Sequence, residues 1–131
     1  PAYTFAVTRA ADGEVLGEAS LRFDDHPGVG ELGYWLGEAA RGRGHGRATV
    51  ELLTRVGFER LGAFALTARV KEGNAASMAV LEAAGFRAER APRVEGDLED
   101  PPIAWIYSAT RRSDLRRDPR PAVDFVSAGP A

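Results

Sequence analysis

Apolar residues in the opening stretch recur with a period of two. Tyr3, Phe5 and Val7 share one side of a segment over residues 3–8, the alternation of a strand half-buried against a core. Asp12-Gly13 lies at the centre of the next turn. That dipeptide suits a tight hairpin, because its backbone adopts the positive φ such turns need. A returning strand is predicted over 15–23, a loop with Pro27 and Gly28 over 24–30, and a third strand over 31–36. The period then changes. From Arg47, apolar residues fall at Val50, Leu53, Val56 and Leu61, with Leu52 and Phe58 widening the stripe. This is the spacing of an amphipathic helix, and Gly62 is a suitable stop.

Residues 64–70 return to a strand pattern, and Lys71-Glu72-Gly73 makes a turn. Asn74 can N-cap a helix over 75–84 with Val80, Leu81 and Ala84 inward, ended by Gly85. Strands over 86–91 and 103–110 flank a polar, acidic loop over 92–102. From Arg111 onward charge, proline and small residues dominate, which predicts a flexible, disordered tail over 111–131. The expected organisation is one domain over 1–110 and that tail. Its element order predicts an α/β or α+β fold: a mixed sheet with helices packed on it. The strand–helix–strand unit over 31–70 predicts a right-handed parallel crossover.

Composition narrows the function classes. A chain of 131 residues suits one hydrophobic core. A formal net charge of −2 supplies no global basic field for nucleic acid or a membrane surface. There is no cysteine, which excludes disulfides, thiolate nucleophiles and zinc–cysteine sites. His26 and His45 stand far apart and form no metal-binding spacing. No apolar run approaches a membrane span and no leader pattern is visible, so a cytoplasmic protein is expected. The chain opens on Pro1 and runs almost at once into a strand, as a trimmed piece of something longer would.

The candidate chemistry lies in Arg41-Gly42-Arg43-Gly44-His45-Gly46-Arg47-Ala48, between the third strand and the first helix. Glycines let backbone approach a ligand closely. The first N–H groups of a helix have no partner inside it, and the helix dipole adds positive character there. With Arg41, Arg43 and Arg47 around that point, the stretch reads as a phosphate cradle. A nucleotide P-loop needs Gly-Lys-Ser/Thr at its end, and Gly46 is followed by Arg47-Ala48. A dinucleotide loop needs Gly-x-Gly-x-x-Gly opening a parallel unit, whereas the spacing here is Gly42-x-Gly44-x-Gly46 after hairpin-like strands.

The stretch matches the pattern Gln/Arg-x-x-Gly-x-Gly/Ala, and so resembles the pyrophosphate loop of the GNAT superfamily of acyl-CoA-dependent N-acetyltransferases. Gly33-Tyr34-Trp35-Leu36, Asn74-Ala75-Ala76-Ser77 and Leu81-Glu82-Ala83-Ala84-Gly85-Phe86 stand in that family's order and spacing around the loop. The likeness is closest to the ribosomal-protein N-terminal alanine acetyltransferases. It implies a mostly antiparallel sheet whose central parallel pair, 31–36 and 64–70, splays apart to hold acetyl-CoA. It also implies that the family's opening strand and two helices, one wall of the acceptor site, are missing from this sequence.

The resemblance assigns roles residue by residue. A main-chain N–H at Trp35 or Leu36 would bond the thioester oxygen. The loop from Arg43 through Gly44, His45, Gly46 and Arg47 to Ala48 would hold the pyrophosphate, with Arg41, Arg43 and Arg47 reaching phosphate oxygens. Asn74 would bond the pantetheine arm, and Ser77 would lie near the sulfur as its proton donor. The tyrosine that many relatives use for that purpose has no counterpart near Phe86. Glu31 and Glu95 are the candidate bases. An α-amine, with pKa near 8, is roughly a tenth neutral at pH 7 and needs only modest help. Each of these residues also has a plain structural reading as cap, core or solvated charge. Tyr107 is expected in the core.

The implied partners are acetyl-CoA, as acetyl donor, and an amine acceptor, either a peptide N-terminus or a small amine. No metal, nucleic acid or membrane is implied, and a homodimer is an open alternative. The competing readings are a small-molecule acetyltransferase acting on a polyamine, amino sugar or antibiotic, and a non-catalytic acyl-CoA-binding module. The weakest is a dinucleotide-binding domain, which would take NAD.

Overall fold

The chain begins with the predicted hairpin. Strands β1 (Ala2–Arg9) and β2 (Val15–His26) pair antiparallel. Their turn is held by Asp12, whose carboxylate accepts the Glu14 N–H at 3.1 Å. The Arg9 guanidinium bridges Asp12 at 2.9 Å and Glu14 at 2.8 Å. These contacts, the Glu14 N–H first, hold the Asp12 carboxyl below its usual range. The computed structural model describes residues 1–93, 95–96, 98–113, 115 and 122–130.

Strand β3 (Val29–Leu36) continues the meander against β2. A short 3-10 turn (Glu38–Ala40) and the glycine loop lead into α1 (His45–Arg55), which runs on as a π-helical segment (Val56–Arg60). Then come β4 (Ala65–Lys71), α2 (Ala75–Ala84), β5 (Arg87–Arg90), β6 (Ile103–Thr110) and β7 (Val123–Pro130). Among the described residues these strands make one seven-stranded sheet in the order β5-β6-β4-β3-β2-β1-β7. Its neighbours pair antiparallel except β3 and β4, which are parallel. The predicted α+β class and mixed sheet are therefore present.

The core forms between one face of the sheet and the helices. Val7, Ala19, Leu21, Leu32, Leu66, Ala68, Val70, Tyr107 and Ala109 from the strands meet Val50, Leu53 and Leu81 from the helices. The apolar alternation seen in the sequence selects that face, since every second strand residue points to it. Gly17 controls how closely β2 approaches β3. A Cβ there would collide with the Trp35 carbonyl oxygen, a backbone atom that cannot step aside.

Two expectations need correction. The first helix starts at His45 rather than Arg47, because Gly44 caps it in the left-handed conformation (φ 80°). Its last part is π-helical, with the Leu61 N–H bonding back to the Val56 carbonyl at 3.0 Å. The disordered tail does not hold over Val123–Pro130, which docks antiparallel on β1 as an edge strand. Val123 is fully buried, and Phe125 stacks on Phe5 at 5.2 Å between ring centroids. Arg111 is also engaged, donating to the carbonyls of Phe58 and Ala63 at 2.7 Å each. Residues 114, 116–121 and 131 of the expected tail lie outside the described residues.

If β7 is part of the cooperative unit, Phe125→Ala removes an aromatic contact and leaves Phe5 exposed. The expected cost is about 2 kcal/mol, below the range for a fully buried phenylalanine because Phe125 is only partly buried. Urea unfolding should show a lower midpoint at an unchanged slope.

Candidate functional site

The site begins where the parallel pair ends. β3 and β4 are in register only over Val29–Ala65, Gly30–Leu66 and Glu31–Thr67. Beyond Glu31 the strands part, although β3 stays paired to β2 as far as Leu36. Alternate residues of a strand turn their backbone groups to opposite neighbours. The Gly37 N–H bonds the Leu16 carbonyl of β2 at 2.8 Å. Counting back, Trp35 presents its backbone to β2, while Leu36, Tyr34 and Leu32 present theirs to the side that β4 has left. Of the two residues expected to supply a backbone donor, Leu36 is thus placed for it and Trp35 is not. Tyr34, on the same side, is a donor that sequence reasoning missed. The Trp35 indole stands on the other sheet face, 62% exposed.

The opening is a cleft of about 400 Å³, lined among others by Glu31, Tyr34, Arg69, Asn74, Ser77 and Glu99. Asn74 and Ser77 arrive together because they make the N-cap of α2: the Asn74 side chain accepts the Ser77 N–H at 3.2 Å. The Ser77 Oγ then lies 3.4 Å from the Tyr34 hydroxyl across the mouth. Glu31 accepts a hydrogen bond from the Arg69 guanidinium, and Lys71 stands 4.0 Å from Glu99. Each acid in this wall faces a base, so the cleft carries little net charge. Glu95 sits in an exposed turn away from this lining. Tyr107 is buried and donates to Glu82 at 3.0 Å, as the core reading expected.

The loop reaches the same region through packing. A Cβ on Gly46 would lie 3.9 Å from Leu36 and 3.7 Å from Val80, so the first turn of α1 sits between the end of β3 and α2. Gly44 takes a left-handed conformation that costs other residues roughly 1–2 kcal/mol. No atom lies within 4 Å of where a Cβ on Gly42 or Gly44 would stand, which leaves this backbone open to a ligand. His45 turns inward and donates from Nδ1 to the Ala40 carbonyl at 3.1 Å, tying the loop from beneath. Its side chain is 7% exposed, so it shapes the loop rather than facing a ligand.

The first intrahelical bond is Ala48 N–H to the Gly44 carbonyl, leaving the N–H groups of His45, Gly46 and Arg47 without helix partners. Arg41 and Arg43 are exposed and, among the described residues, pair with no carboxylate. Arg47 is tied to Glu51 at 3.4 Å. This donor set suits a phosphate-bearing ligand: open backbone, bare N–H groups and unpaired guanidinium groups. No group of three or more metal-ligating side chains occurs among the described residues, and no helix there is long and apolar enough to cross a membrane.

The profile of the acetyltransferase (GNAT) domain family matches residues 1–87. A Vibrio cholerae protein assigned provisionally as a ribosomal-protein-serine acetyltransferase superposes with a TM-score of 0.69 at 26% identity, over 83% of this chain and 64% of that one. Mycobacterium smegmatis RimJ, in complex with CoA-disulfide, gives 0.64 at 25% identity, over 76% of this chain and 49% of that one. An acetyltransferase from Agrobacterium tumefaciens str. C58 gives 0.63 at 28% identity, over 82% and 60%. The chain thus spans between about half and two thirds of the length of these structures. No curated protein sequence matches it.

Burial raises the Tyr34 pKa, partly offset by its bond to Ser77; burial and then Glu82 raise that of Tyr107. A tyrosine in the unfolded chain ionises near pH 10. The stability these hydroxyls contribute is therefore fully present below that pH and is lost as pH rises toward the folded values. Urea midpoints compared at about pH 9 and about pH 11 should fall, and Tyr107→Phe should make the fall smaller.

Proposed function

The chain belongs to the acetyltransferase (GNAT) family, and from that premise we propose that it transfers an acetyl group from acetyl-CoA to a primary amine, by direct attack on the thioester. The observation that carries this reading is the parting of β3 from β4 beside the bare N-terminus of α1. One end of that arrangement suits a pyrophosphate and the other a carbonyl that gains negative charge.

Acetyl-CoA supplies the activated acyl group, and the chain's own residues do the rest. The N–H groups of His45, Gly46 and Arg47, the open backbone at Gly42 and Gly44, and Arg41 and Arg43 hold the phosphates. The Leu36 or Tyr34 N–H bonds the thioester oxygen as its charge develops; a donor of this kind is worth on the order of 3 kcal/mol. Asn74 and Ser77, at the start of α2, line the cleft, where Asn74 would border the pantetheine arm and Ser77 the sulfur. Glu31, held by Arg69, takes the amine proton directly or through water. Glu95 is exposed and is not among the residues lining the cleft, so Glu31 is preferred for that step.

A protein N-terminal α-amine is the favoured acceptor. The paired charges Glu31–Arg69 and Glu99–Lys71 give the wall no net negative field to draw in a polycation, which weighs against a polyamine. The likeness to the Vibrio cholerae protein, whose name gives a ribosomal protein as its acceptor, supports a protein acceptor. A small-molecule amine remains the alternative acceptor, and an amine panel separates the two. Without turnover of any amine, the chain would instead be an acyl-CoA-binding module.

Melting of this chain in the presence of acetyl-CoA, CoA and NAD tests the reading. A ligand at about 100-fold its Kd stabilises by about 2.7 kcal/mol. Acetyl-CoA and CoA should raise the melting temperature and NAD should not. The double variant Arg41→Glu/Arg43→Glu, on the exposed rim, should keep the ligand-free melting temperature and lose most of the shift. A shift with NAD alone would overturn the proposal.

A further inference from the structure

Tyr34 reaches the mouth of the opening from β3 and Ser77 reaches it from the first turn of α2, and their hydroxyls meet at 3.4 Å. Both line the cleft. Among the described residues, the Ser77 Oγ has the Tyr34 hydroxyl as its hydrogen-bond partner, while its N–H is taken by Asn74. Resting on the acetyl-transfer reading above, we propose that this pair is a hydrogen-bond clamp for the leaving sulfur. Tyr34 donates to Ser77 Oγ and so turns the Ser77 hydroxyl hydrogen onto the departing thiolate. Ser77 is then the group that touches the reacting atoms, and Tyr34 is its positioning residue.

The direction of the bond follows from acidity. A phenol is a stronger acid than an alcohol and the better donor, and a serine hydroxyl has one hydrogen and two acceptor lone pairs. With Tyr34 donating into one lone pair, the Ser77 hydrogen remains available for the sulfur. Acidity also decides that no proton is handed over. CoA's alkyl thiol is a somewhat weaker acid than a cysteine (~8.5) but no weaker than an ordinary tyrosine (~10), and burial pushes Tyr34 higher still. Protonation of a thiolate by either hydroxyl therefore runs uphill, whereas a charge-assisted hydrogen bond to it does not. In the reaction the amine nitrogen forms the new C–N bond, the C–S bond breaks, its electron pair stays on sulfur, and the amine proton goes to Glu31 or solvent. CoA leaves as the thiolate. This revises the proton-donor role that the resemblance assigns to Ser77.

The absence of cysteine makes a direct test available, because thiolate ultraviolet absorbance in a complex with CoA comes from CoA alone. The bound thiol should titrate about one unit below free CoA, since hydrogen bonds to the charged form favour it. It should return toward the free value in both Tyr34→Phe and Ser77→Ala, with ligand-free protein as blank. Phenylalanine keeps the ring packing, so Tyr34→Phe should lower kcat about tenfold, or about 1.4 kcal/mol, with the KM for acetyl-CoA unchanged. The double variant should be no slower than Ser77→Ala. An unchanged kcat and thiol pKa in Tyr34→Phe, or additive losses in the double variant, would overturn the pairing. So would an alkaline limb in the wild-type pH–rate profile that vanishes in Tyr34→Phe, which would make Tyr34 an acid that gives its proton away. A wild-type chain that neither binds CoA nor turns over would instead remove the acetyl-transfer reading, and this inference with it.

Discussion

Backbone N–H and C=O groups must be paired wherever they are buried, and a sheet interior meets this demand by laying strands side by side. At the centre of this sheet the demand is deliberately left unmet. β3 keeps its hydrogen bonds to β2 to the end of the strand, but β4 leaves it after Glu31. Among the described residues, the Tyr34 and Leu36 backbone groups facing that gap have no strand partner. In the proposed function, a ligand running along the gap would supply what β4 no longer does. The remaining features of the site are arranged around this opening: α2 is capped at its mouth by Asn74 and brings Ser77 to it, and α1 starts just past the end of β3.

The loop that joins β3 to α1 solves a second problem of the same kind. A helix start exposes N–H groups that need partners, and here none is offered among the described residues. Gly44 turns the backbone into a conformation other residues avoid, His45 anchors the loop inward on Ala40, and Arg41 and Arg43 stay on the outside. The result is a concentrated positive end in a chain whose net charge is −2. Locally arranged backbone dipoles, not overall charge, make it attractive to a phosphate.

The cleft beside it is close to neutral, because Arg69 and Lys71 of β4 stand against Glu31 and Glu99. That neutrality and the partial burial of Tyr34 have a common consequence. Hydroxyl groups stay protonated and act as hydrogen-bond donors rather than as acids. An opening of this kind holds its fixed charges in pairs and carries little net charge of its own.

The sequence by itself determined the elements and the loop. The period-two runs of Tyr3, Phe5 and Val7, the helical stripe from Val50 to Phe58, the Asn74 cap and the spaced glycines from Gly42 to Gly46 are local signals. Local signals suffice because each depends only on backbone geometry over a few residues. What the sequence could not carry was anything set by long-range register. The docking of Val123–Pro130 on β1 joins opposite ends of the chain, so its charged and proline-rich approach read as a tail. Tyr34 and Ser77 are 43 positions apart and meet only because β4 departs and α2 folds back over the gap. Leu36 rather than Trp35 faces the opening because of the β2 register, and Glu99 rather than Glu95 lines it because of where the acidic loop returns to β6. Strand alternation turns a one-residue shift into the opposite direction for every backbone group, and only the assembled sheet settles which way each one points.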